Sequence, residues 1–226
     1  ATAHSFVTIE NSRLSVNRGS GSGAFPLIVR RTDASGIIAE FANSSGYGLL
    51  VGQNSATGEA YLRTGTGQPL VITTNAGSGI ANERLRISSQ GYVTKPNQPV
   101  FDVCGASGNP SGAGYITFTT VKVNIGSHYS TGTGKFIAPV AGTYFFSFGC
   151  IKSGNSSLAR LYLYKNGSSA NGRQLRMPTG GDGYGENGAK TNIVTLAAND
   201  EIQVYMSEGT IHGGTAYLYF NGYLIG

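Results

Sequence analysis

The chain has 226 residues, of which 12% are charged and 39% hydrophobic, with 35 Gly, 13 Tyr, 10 Phe, no Trp and a net charge of +5. This composition favours β-structure with many turns over helix. It excludes a collagen stalk, because the glycines keep no three-residue period, and a helical membrane span, because no apolar run nears about 20 residues.

Residues 1–94 hold short β-type runs: "SFVTIE", "FPLIVRR", "GIIAEFA", "GLLVGQ", "EAYLRTG", "PLVITTN" and "ERLRIS". Turn clusters such as "RGSGSG", "NSSGYG" and "NAGSG" separate them. In the last run Leu85 and Ile87 face one way, Arg84 and Arg86 the other. Pieces this sparse bury little apolar area within one chain, so they gain a core by repeating or by intertwining with copies of themselves. The opening "ATAHSFV" has no charged segment followed by an apolar core and reads as an interior cut of a longer chain.

The run "NERLRISSQGYVTKPNQPVF", Asn82 to Phe101, resembles the junction in phage tail-fibre and receptor-binding proteins, where a fibrous β-stalk of three chains meets a globular tip. The resemblance implies a stalk over residues 1–94 and a head over 95–226.

From Pro99 onward the strands lengthen and the turn signals sharpen at "GNPSG", "KNGSS" and "LAAND". Alternation puts Tyr144, Phe146 and Phe148 on one face and Phe145 on the other. Leu161 and Leu163 alternate in the same way with Tyr162 and Tyr164, and Ile202 and Val204 with Gln203 and Tyr205. Rings on both faces predict that both faces are covered, one by a sandwich core and the other by a neighbouring subunit or by loops. Asn166-Gly167 reads as a hairpin turn.

Phe118, Asn124, Tyr129, Phe136, Gly142, Tyr144, Phe146 and Phe148 stand in the order and spacing of the complement C1q globular-head signature. "HYSTGTGKF", "APVAGTYFFSF", "LYLYKNG" and "IVTLAANDEIQVYM" extend the match. The chain therefore resembles the C1q–tumour necrosis factor superfamily over residues 99–226. The usual Gly-Asp turn is here Asn199-Asp200, and the terminal Phe-Ser-Gly-Phe pattern is Phe220-Asn221-Gly222-Tyr223. The fold expected is all-β: a fibrous, intertwined trimeric β-stalk followed by an antiparallel jelly-roll β-sandwich head. By the family strand order, Cys104 and Cys150 share a sheet with another strand between them. That separation exceeds the ~4.4–6.8 Å Cα spacing of a disulfide, so both should be free thiols.

Chemistry is scarce. His4, His128 and His212 lie outside metal-ligand spacing of one another and of the two cysteines. No nucleophile elbow, phosphate-binding loop or His-Glu-x-x-His motif occurs. Asp182 and Glu186 are a candidate carboxylate pair for a glycan depolymerase, but a Gly-rich loop positions catalytic acids poorly. No catalytic residue, metal ligand or cofactor is expected. The family's apical calcium would fall to the same two acids, too few for a cage of about six to eight oxygens.

Strand parity places the connections Lys152–Ser157, Pro178–Ala189 and Glu208–Gly214 at the end away from the stalk. Loops on a rigid scaffold concentrate binding residues, which nominates Lys152, Asn155, Asp182, Tyr184, Glu186, Glu208 and His212 as receptor-binding. The expectation is a non-enzymatic homotrimer at the tip of a phage tail fibre, in the virion and extracellular when acting. It would attach to a host-surface lipopolysaccharide, glycan or outer-membrane protein, and to other tail proteins through a segment preceding Ala1. A mildly basic surface suits such polyanions. Basic residues are not clustered, so nucleic acid is not an expected partner, and membrane insertion is not expected either. A secreted or cell-surface C1q-domain structural or adhesion protein is the alternative.

Overall fold

The structure is a computed structural model that describes residues 36–42, 48–54, 56–75, 82–154, 158–178 and 187–226. Two compact units are drawn from it, one within Ala1–Val71 and Arg86–Val93, the other within Ile72–Leu85 and Thr94–Gly226. In the first half, β1 (Gly36–Ala42), β2 (Gly48–Gln53) and β3 (Ala60–Thr64) form an antiparallel sheet in chain order. Next, β4 (Leu70–Thr73), β5 (Glu83–Ile87) and β6 (Val93–Thr94) form another in the order β4-β5-β6. Five of the seven expected runs are therefore strands. "SFVTIE" and "FPLIVRR" lie outside the described residues.

The second half follows as β7 (Val100–Cys104), β8 (Gly114–Tyr115), β9 (Thr120–Ile125), β10 (Tyr129–Ser130), β11 (Lys135–Ile137) and β12 (Gly142–Ile151), then β13 (Ala159–Lys165), β14 (Ser168–Met177), β15 (Asn187–Leu196), β16 (Glu201–Glu208) and β17 (Tyr219–Leu224). One sheet runs β15-β12-β17-β7-β9 and the other β10-β11-β16-β13-β14, with β8 on β16. Neighbours in the sheets come from distant parts of the chain, and the chain crosses repeatedly between layers. This is an all-β jelly-roll sandwich.

The core lies between the sheets and is built around a cluster of aromatic rings. Phe101 is its hub, with ring centroids 4.8 Å from Phe220, 5.0 Å from Phe136, 5.4 Å from Tyr129 and 6.3 Å from Phe146. Offset and edge-on pairs of this kind add to the gain from burial itself. The alternation read from the sequence holds: Tyr144, Phe146 and Phe148 are buried, while Phe145 points away from the core.

Local chemistry fixes the turns. Asn166 and Gly167 take φ of 50° and 80° between the paired Lys165 and Ser168, as a two-residue hairpin requires. Asn124 clamps the next turn. Its Nδ2 donates to the Tyr129 carbonyl at 2.9 Å, and its Oδ1 accepts the Tyr129 N–H at 3.1 Å. The Tyr129 hydroxyl then accepts the Phe118 N–H at 3.1 Å, so three signature positions form one hydrogen-bonded unit. Burial pushes the Tyr129 hydroxyl up to about 12.

Gly142 of the signature is required by close packing. A side chain there would stand 2.8 Å from Leu224 Cδ1 and 3.1 Å from the Gly226 carbonyl oxygen, so close approach of the last strand demands the glycine.

Cys104 and Cys150 are buried free thiols on β7 and β12, with β17 between them. Burial raises the Cys150 thiol to about 12, which leaves it inert at neutral pH.

Candidate functional site

Two surfaces of the second half are candidates: the loop end expected from strand parity, and the outer faces of the two sheets. The loop end is built by cross-links between connections. Lys152 bridges Ile211 and Ser111 bridges Thr210. Ser153 N–H donates to the Thr210 carbonyl and His212 N–H to the Ile151 carbonyl, both at 2.9 Å. The expected loops that begin at Lys152 and at Glu208 therefore meet.

A third loop, residues 105–113, joins them, and sequence reasoning did not single it out. Asn109 Oδ1 accepts the Gly213 N–H at 2.9 Å, Ala106 N–H donates to the Gly213 carbonyl at 2.8 Å, and the Ser111 and Thr210 hydroxyls lie 2.8 Å apart. The "GNPSG" cluster was the available signal, read only as a turn.

The nominated residues separate by environment. Glu208 pairs with Arg160 Nε at 3.1 Å on a half-exposed surface. His212 is half-buried against Tyr217, with ring centroids 5.6 Å apart. Lys152 departs from expectation: it is 1% exposed, and its ammonium donates to the Pro178 carbonyl at 2.5 Å. Its aliphatic stem packs inside while the charge holds the connection that follows β14, so it acts as a strut under the loops and is not presented to a partner. Asn155, Asp182, Tyr184 and Glu186 lie outside the described residues. Among the described residues no group of three or more His, Cys, Asp or Glu could hold a metal ion, and no helix is long and apolar enough to cross a membrane.

On the outer face of the β15-β12-β17-β7-β9 sheet, the registers align side chains from five strands. Ile193 pairs with Phe145, Phe145 with Tyr223, Tyr223 with Val100, and Val100 with Ile125. The result is one apolar row across the whole sheet. Ile193 is 64% exposed and Tyr223 45%, and Phe145 stacks on Tyr223 at 5.2 Å. Two residues along, the four strands β15, β12, β17 and β7 carry a polar row of Thr191, Ser147, Asn221 and Asp102, which meets Val123 on β9.

The other sheet also carries rings on its outer face. Tyr115, Tyr162, Tyr164 and Tyr205 stand on its outer face and cover one another. Tyr164 stacks on Tyr205 at 4.5 Å, Tyr115 meets Tyr205 edge-on at 5.1 Å, and Tyr115 remains 45% exposed.

Comparison with known proteins agrees with this architecture. Residues 101–225 match a family model described as the C1q domain. The mouse and human proteins named complement C1q tumor necrosis factor-related protein 3 are each 32% identical to this chain over 111 residues, 49% of the chain. The match covers 44% of the length of those relatives. Among solved structures, the globular domain of zebrafish complement 1qA protein is 22% identical and covers 57% of this chain and 98% of that one, with a TM-score of 0.44. These relatives are vertebrate complement-type proteins, and the tail-fibre expectation has no counterpart among them.

Proposed function

The chain belongs to the C1q-domain family, and from that premise we propose that it is a secreted or cell-surface recognition protein acting as a homotrimer in adhesion. It is not an enzyme, in keeping with its C1q domain. The observation that carries the reading is the apolar row Ile193, Phe145, Tyr223, Val100 and Ile125. A contiguous exposed row of this kind marks an interaction surface, and closed rotational symmetry lets three copies of one surface bury it together. The sparse strands of residues 1–94 then act as a stalk that gains its core in the trimer, and the loops around His212 and Glu208 face the partner. Three copies on one axis turn weak single-site binding into firm attachment.

Light scattering of the purified chain tests the reading. Three times 23.5 kDa is expected, and a folded monomer at micromolar concentration refutes it. Loss of cell-surface binding in a Tyr184→Ala, His212→Ala double variant of unchanged mass and melting would place recognition at the loop end. An Arg63→Ala control should bind as the parent does.

A second reading, the tip of a phage tail fibre, rests on the Asn82–Phe101 segment and its stalk-to-head pattern. The coding sequence upstream of Ala1 separates the two: a secretion signal favours the first, a virion-anchoring domain the second.

A further inference from the structure

The loop end carries one aromatic ring that neither the core nor the ring cluster of the sheet absorbs. Tyr217 is 48% exposed, and among the described residues its ring meets one other, His212, tilted by 55° at 5.6 Å. The backbone that holds it is tied down. Gly105 N–H donates to the Leu218 carbonyl at 2.9 Å, Gly112 N–H to the Gly209 carbonyl at 2.8 Å and Ile211 N–H to the Pro110 carbonyl at 3.0 Å. These bonds join residues 105–113 to 209–218 along their length. The N–H groups of Tyr217 and Leu218 both donate to the Gly214 carbonyl, at 3.0 and 3.1 Å, which closes the turn that carries the ring. A side chain at Gly214 would begin 3.1 Å from Tyr217 Cδ2, so the ring lies against bare backbone. A ring fixed before binding loses little freedom when a ligand covers it.

The groups bonded to this turn are polar and uncharged. Asn109 holds the Gly213 N–H with its Oδ1 at 2.9 Å, and its exposed amide stands one residue from Gly214. Thr215, also exposed, belongs to the turn itself and packs against Gly105. The net charge of +5 is not expressed here. Residues 105–113, 152–154 and 209–217 contain no Asp, Glu or Arg, and their one lysine, Lys152, is buried. Glu208, at the border, is paired with Arg160 at 3.1 Å.

A rigid, exposed ring beside hydroxyl and amide groups, without a charge to meet, defines the chemistry of the ligand. We propose that this loop pair binds a neutral carbohydrate. The Tyr217 ring takes the C–H face of a pyranose, whose hydrogens meet the negative face of the ring. Asn109 and Thr215 meet the sugar hydroxyls, which both donate and accept. A polyanion finds no cation here to offset the loss of its hydration. The proposal rests on the loop-end recognition reading and narrows it to a ligand class.

Binding of the full chain to immobilised mannan, galactan and dextran tests it, with dextran sulfate as the charged probe. Saturable binding to at least one neutral polymer is expected. It should be unchanged between about 0.05 and 0.5 M salt, because no exposed charge pair contributes. Tyr217→Ala should weaken it at least about tenfold, as loss of an aromatic anchor does, and Tyr217→Phe should retain it. Should Tyr217→Ala fail to fold, Tyr217→Leu keeps bulk against Gly214, loses the flat ring and should show the same loss. The proposal is overturned if no neutral polymer binds, if binding survives loss of the ring, or if dextran sulfate is the tighter, ring-dependent ligand. It is also overturned if the loss in Tyr217→Ala comes with a lower scattering mass, which would make the ring an assembly contact. Cell-surface binding that is lost in Tyr217→Ala while no neutral polymer binds removes the sugar assignment and leaves the loop-end reading standing. Ring-dependent polymer binding beside unchanged cell-surface binding does the reverse.

Discussion

The two sheets of the head share one core but present different outer faces. On the β15-β12-β17-β7-β9 sheet, apolar side chains from all five strands line up in one row, and beside it Thr191, Ser147, Asn221 and Asp102 form a polar row that ends on Val123 of β9. On the other sheet the outward rings gather into a knot, where Tyr115, Tyr162, Tyr164 and Tyr205 spend their faces on one another. A row leaves ring and aliphatic surface for another molecule to cover. A knot satisfies itself and needs no partner. Exposed aromatics at similar density therefore carry opposite meanings, and cross-strand geometry tells them apart.

The largest expected effect comes from the element both faces depend on. Phe101→Ala removes the ring that touches Tyr129, Phe136, Phe146 and Phe220. It should cost ~3–5 kcal/mol in denaturant unfolding and loosen both faces alike.

Next, Phe145→Asp places a charge in the middle of the apolar row. It should weaken assembly by about 2 kcal/mol or more, as removal of a central interface ring does. The scattering mass would then drop toward 23.5 kDa, while Tyr205→Asp should leave it unchanged. If Tyr205→Asp disperses the assembly and Phe145→Asp does not, the two faces have been assigned the wrong way round.

The knot should show itself as coupling within the chain. A double-mutant cycle of Tyr164→Leu and Tyr205→Leu should give an interaction of ~0.5–1.5 kcal/mol with no change in mass.

The smallest effect belongs to the turn before β16. Asp200 accepts from Lys165, Asn166 and the Ala197 N–H at 2.8, 2.7 and 2.7 Å, which holds its carboxyl down to about 2. A lowered carboxylate stabilises the fold above the unfolded value of 3.8 and loses that contribution as pH falls toward 2. Asp200→Asn should therefore melt below the parent at pH 7 and with it near pH 2.

The sequence by itself determined a good deal. Period-two alternation gave the inward set Tyr144, Phe146 and Phe148, and the spacing of Phe118, Asn124 and Tyr129 marked a turn that the structure shows clamped by its own hydrogen bonds. Asn166-Gly167 was legible as a hairpin because positive φ is a local demand. Tertiary structure decided the rest. That Phe145 lies beside Ile193 and Tyr223 depends on the registers of strands dozens of residues apart, and alternation carries no information about which strand is the neighbour. The burial of Lys152 followed from the same limit. A lysine after a strand reads as solvated, and only the arrival of Ile211 on one side and the Pro178 carbonyl at its ammonium makes an interior position tolerable.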